Sequence, residues 1–106
     1  MTYDGQKINF DQLRKANVAR YKDYSCDDWT PSDWACALAG ETGETCNLIK
    51  KLRRGEPISR DEIGREIADI IIYADILAER LGLDLGRIVR DKFNEVSKRV
   101  GSKVEL

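Results

Sequence analysis

The chain has 106 residues, a common size for one domain and enough for a hydrophobic core without disulfide staples. Hydrophobic residues make up 42% and charged residues 35%, a soluble, helix-friendly balance; the net charge of −1 offers neither a basic field for nucleic acid nor a polybasic segment for a membrane. There is no histidine, which excludes a Ser-His-Asp triad, a His-containing zinc site and the Glu-x-x-His di-iron motif.

Oxygen ligands remain, and they favour magnesium or manganese. Cys26, Cys36 and Cys46 are odd in number and form no C-x-x-C pair, so we expect buried, reduced thiols in a cytoplasmic protein. No signal-peptide pattern is read, and no apolar run approaches the roughly 20 residues of a membrane span.

Punctuation divides the chain into four helices. Asn9 and Gln12 form a capping-box pattern that opens "FDQLRKANVARYKDY", with Phe10, Leu13, Ala16 and Tyr24 available for one face. Thr30-Pro31-Ser32-Asp33 starts the second helix with a capping threonine, proline at the first position and an acid in the first turn; Arg54-Gly55 stops it. Ser59 and Glu62 open the third, which stops near Gly82. Asp84 caps the fourth, which runs to about Gly101. No alternating strand pattern competes, and every connection is short. The expectation is a single domain over residues 1–106, folded as a compact all-α four-helix bundle.

The carboxylates of helices two and three stand out. Trp34, Leu38, Thr45, Leu48 and Leu52 fall on one stripe of helix two, with Glu41 in its middle and Glu44 one step to the side. On helix three, Ile63, Ile67, Ile70, Ile71, Ala74, Ala78 and Leu81 form a broad apolar face. Asp75 and Glu79 pair at i,i+4 on the side expected to meet solvent. Glu66, Asp69 and Tyr73 share a separate strip. Each helix thus carries two acids three residues apart, E-x-x-E and E-x-x-D, a spacing that sets both on one side within reach of a shared ion. Four carboxylates crowded in a low-dielectric site repel strongly, and divalent cations remove that cost. The alternative is a non-enzymatic helical interaction module whose acids pair with its many Lys and Arg.

The segments "DWACALAGETGETCNLIKKLRRGE" and "EIADIIIYADILAERLGLDLGRIVRDKFNEVSKRVG" resemble the MazG-like all-α nucleoside triphosphate pyrophosphatases, closest to single-module phage-type members and the dCTP pyrophosphatases. The resemblance implies Mg²⁺- (or Mn²⁺-) dependent cleavage between the α and β phosphates of a nucleoside triphosphate, with a deoxyribonucleotide expected, giving the monophosphate and pyrophosphate. Glu41, Glu44, Glu66 and Asp69 match the family's metal ligands, with Glu41 or Glu44 orienting or deprotonating the attacking water. The chain departs from the family at Gly40, where many members have a second glutamate. It departs also at Lys51, where the dCTP branch places an aromatic base-pocket residue, so cytosine specificity is not carried over.

Cations for the leaving group are expected from Lys51, Lys92 and Arg99, and base contacts from Asn17, Trp34 and Tyr73. Apolar residues on more than one side of helix three, Ile72 and Ile76 among them, point to a homo-oligomer, a tetramer or else a dimer, as the resemblance also implies.

Overall fold

The computed structural model describes residues 6–106; the first five residues of the expected domain lie outside the described residues. The fold is all-helical: α1 (Phe10–Tyr21), α2 (Pro31–Arg53), α3 (Arg60–Arg80) and α4 (Leu85–Val100), with no strand among the described residues. The capping residues are those read from the sequence, except that the box expected of Ser59 and Glu62 is half made. Ser59 accepts from Glu62 N, and among the described residues no return bond from the Glu62 side chain is formed. Asn9 Oδ1 accepts from Gln12 N at 2.9 Å while Gln12 Oε1 accepts from Asn9 N at 2.8 Å. Thr30 and Asp33 repeat this reciprocal box, and the two hydrogen bonds from Thr30 hold the Asp33 carboxyl below the usual carboxylate range. Ser59 and Asp84 each accept from the backbone N–H three residues on. These contacts satisfy N–H groups that have no partner inside the helix.

Gly55, Gly82 and Gly101 follow α2, α3 and α4 with φ of 85°, 70° and 74°, left-handed values that a Cβ would strain. One boundary differs from expectation. α1 ends at Tyr21, three residues early, because Asp23 N and Tyr24 N turn back onto the Arg20 and Tyr21 carbonyls in a tight turn. Tyr24 therefore packs from a loop, not from a helix face.

α2 and α3 form an antiparallel pair, the main contact of the fold, and α1 lies against α3. At one end of the pair, Trp34 is 2% exposed and is ringed by Trp29, Tyr21, Tyr73 and Tyr24, with ring centroids 4.7 to 6.1 Å away. Ile76 and Cys26 complete this cluster. Burial, then the charges of Asp27 and Asp28, push the Cys26 thiol up, so it stays protonated. Cys36 and Cys46, expected to be buried, are exposed on α2, because they lie off the stripe that meets α3.

A second correction concerns Asp75, expected to face solvent with Glu79. It is fully enclosed. Arg14 Nη2 lies 3.0 Å from its carboxylate, Arg14 Nε donates to it at 3.1 Å, and Asn17 Nδ2 donates at 2.9 Å. α1 covers this side of α3, and Asp75 is the acceptor that fixes it there. Glu79 instead pairs with Arg80.

The packing is more open than the compact bundle expected. The radius of gyration is 16.4 Å, against about 13 Å for a compact domain near 100 residues. α4 rests only on α1 and α3 and does not pack on α2. Its start lies against Phe10, where a Cβ at Gly86 would be in ordinary contact at 3.4 Å. Among the described residues several apolar side chains are left bare, and they are not the ones expected. Ile72 and Ile76, read as surplus surface, pack in the Trp34 cluster, while Leu52, Ile67 and Ile71, read on the core stripes, are uncovered. Ile49 and Leu52 on α2, Ile67 and Ile71 on α3, and Phe93 and Val100 on α4 are all exposed. The α4 stripe, with Val104 from the returning tail, lines an open groove of 660 Å³. No described helix is long and apolar enough to cross a membrane.

Candidate metal centre

Because α2 and α3 run in opposite directions, the Trp34 layer meets Tyr73 and Ile76, and the next layer along brings Glu41 against Glu66 and Asp69. One carboxylate oxygen from each of these three acids lies within 4.8 Å of the other two, and all three side chains are half-buried. Glu41 Oε2 and Glu66 Oε2 are withdrawn from solvent and accept no hydrogen bond. A carboxylate oxygen held in that state is costly unless a cation meets it.

The electrostatics carry the same mark. The Glu66 carboxyl is pushed above its usual range, first by the proton it shares with Glu41 when protonated, then by burial; the charges of Glu41 and Asp69 add to the rise, and Glu44 opposes it. Tyr73 feels the group as well. Burial, followed by the charges of Glu41 and Asp69, raises its phenol, which stays protonated and able to donate.

Oxygen donors alone, two of them unpartnered, suit a hard divalent cation such as Mg²⁺ or Mn²⁺. Glu44, the fourth acid expected, stands outside the three-residue group. It is exposed one helical step from Glu41, yet close enough to influence Glu66. The described chain thus brings three of the four expected ligands together and leaves the fourth at the rim.

The other expected site residues are distributed differently. Tyr73 borders the acids. Trp34 is sealed inside the aromatic cluster, so no ring face is open for a base to stack on. Asn17 is 4% exposed, and its amide donates to Asp75 and to the Ile72 carbonyl, which assigns it to the α1–α3 contact in place of a ligand. Lys51 is exposed in the last turn of α2, ten residues from Glu41. Lys92 is exposed and pairs with Glu95 at 3.3 Å, and Arg99 is exposed at the far end of α4. Neither forms an ion pair with Glu41, Glu66 or Asp69 among the described residues, and α4, which touches α3, does not pack on α2.

The sequence reading overlooked Arg14, Tyr21 and Trp29, which hold the scaffold around the site. The available signal was weak. Arg14 and Asn17 are i,i+3 on one side of α1, but their partner lies 61 and 58 residues away. No protein-family model, curated protein or solved structure matches the chain.

Proposed function

We propose that the chain is a metal-dependent nucleotide hydrolase that cleaves a nucleoside triphosphate between the α and β phosphates. The observation that supports this most directly is the convergence of Glu41, Glu66 and Asp69, with two carboxylate oxygens buried and unpartnered. The resemblance of the E-x-x-E and E-x-x-D segments to the MazG-like pyrophosphatases agrees with it. A bound Mg²⁺ or Mn²⁺ would neutralise the phosphates, polarise the α-phosphate and acidify water at the site.

The chain's own groups divide the remaining work. Glu41, Glu66 and Asp69 would hold the cation. Glu44, exposed and outside that group, is the better-placed base, because its oxygens are not committed to the metal cluster. It takes the proton of the water that attacks the α-phosphorus. The bond from that phosphorus to the bridging oxygen breaks, and pyrophosphate departs with the electron pair. Tyr73, kept protonated beside the acids, is available to donate a hydrogen bond to substrate.

The open packing and exposed apolar faces favour a working homo-oligomer, a dimer or tetramer, in which a second copy covers what this chain leaves bare. The same surfaces favour a second reading, a helical interaction module without chemistry. Incubation with each common ribo- and deoxyribonucleoside triphosphate plus Mg²⁺, followed by product identification, separates the two. Monophosphate and pyrophosphate that vanish with EDTA support the enzyme. Orthophosphate as first product, or turnover in EDTA, removes this mechanism, and no turnover at all leaves the interaction module.

A further inference from the structure

The near-neutral total conceals a strong separation of charge along the α2–α3 pair. From Asp23 to Ile49 there is no Lys or Arg, only Asp23, Asp27, Asp28, Asp33, Glu41 and Glu44. The next sixteen residues, 50–65, hold six cations against three acids. Chain connection gathers those cations at the tip of the pair, where α2 ends and α3 begins: Lys50, Lys51, Arg53, Arg54, Arg60 and Arg65.

All six are exposed. Arg54 pairs with Glu56 at 2.8 Å, and the other five have no ion-pair partner among the described residues. The helix dipole explains only part of this. Cations in the last turn of α2 meet the negative end of its dipole and are favourable there. Arg60 is the opposite case. It occupies the first position of α3, at the positive end of a dipole, where Asp61 and Glu62 of the same turn are the favoured charges and it is not. A cation that local physics disfavours, added to a crowded positive surface, marks a place where stability has been yielded to another demand.

The tip also adjoins the acids. Glu44 and Lys51 are seven residues apart and so on one side of α2, about 10 Å along the axis. That is about one screening length at 0.1 M salt. An acidic site repels the anionic substrate it needs, and among the described residues no Lys or Arg is ion-paired with its acids.

We propose that the α2–α3 tip is a cationic capture surface for the polyphosphate chain of an anionic nucleotide, delivering it to the neighbouring acid group. The proposal rests on the nucleotide-hydrolase reading, and its test is built so that the two fail separately. The variant is Lys50→Gln/Arg53→Gln/Arg60→Gln, three exposed residues outside the acid group. The probe is inorganic triphosphate with Mg²⁺, measured by calorimetry, which requires no turnover.

At about 20 mM salt the variant binds the probe roughly tenfold more weakly than wild type, and the difference closes toward about 0.5 M salt. Steady-state kinetics with the nucleotide found active show kcat retained, kcat/KM reduced by a similar factor, and a flatter dependence on ionic strength. Arg60→Gln alone leaves the melting temperature unchanged or raises it. Equal triphosphate binding by variant and wild type at low salt overturns the capture surface, whatever the protein hydrolyses. Weakened binding with no pyrophosphate from any nucleotide upholds the surface and removes the hydrolase reading instead.

Discussion

Removing Arg14 should harm this fold more than removing the charge it pairs with. Asp75 is wholly enclosed, whereas the Arg14 side chain is 25% exposed. In Arg14→Met the aspartate keeps only the 2.9 Å bond from Asn17 and has no route to water. Breaking a buried pair in that direction typically costs about 3–5 kcal/mol, and the single surviving bond places the expected loss near the lower bound, about 3 kcal/mol. In Asp75→Asn the guanidinium can swing outward into solvent, and the new amide oxygen still accepts from Asn17. That loss is the difference between charged and neutral hydrogen bonds, about 1–2 kcal/mol.

For a chain of this length about 3 kcal/mol corresponds to a fall in melting temperature of roughly 12–24 °C, and the milder change to about 4–16 °C. Urea unfolding at one fixed protomer concentration, so that assembly does not confound the comparison, measures both variants. Two losses that are equal, or both below about 1 kcal/mol, would refute the claim that this pair locks α1 onto α3.

Two further outcomes concern the acids and the bare surfaces. In EDTA, Glu66→Gln should melt above wild type and lose nearly all turnover, while Mg²⁺ raises the melting temperature of wild type much more than that of the variant. The pH dependence has a definite sign. Because the folded Glu66 pKa is raised, its contribution to metal-free stability is fully present below the unfolded carboxylate value. It is lost as pH rises through the folded value, a slope that Glu66→Gln should flatten in EDTA melts. Light scattering at micromolar concentration should show an assembly larger than one chain, and Phe93→Asp, in the middle of the exposed α4 stripe, should reduce its size without loss of helical signal. A monomeric wild type would contradict that expectation.

Local chemistry made the helices legible. Each start is announced by a side chain that caps it and each of the last three ends by a glycine in a left-handed turn, contacts made within a few residues of sequence. The convergence of Glu41 with Glu66 and Asp69 was legible for a related reason: two amphipathic helices joined by a short turn must face each other, and helical phase then decides which acids meet. Asp75 was not legible, because i,i+4 spacing with Glu79 is the usual mark of a solvated face and says nothing of Arg14, 61 residues distant. The burial of Trp34 and Asn17, expected at the base, was not legible for a similar reason. Type and phase suit a binding pocket, but burial depends on what α1 and the loop to α2 place over them.

The slight attachment of α4 also bears on how the molecule breathes. A helix that buries little against its own chain is released by local opening long before the whole fold is lost, so its amides exchange with deuterium on a time scale separate from those of α2 and α3. Sixteen residues are close to the length at which an isolated helix is only marginally stable in water. Cover over the Val89–Val100 stripe would therefore govern the protection of α4, and hydrogen exchange followed against protein concentration would read the assembly from inside a single helix.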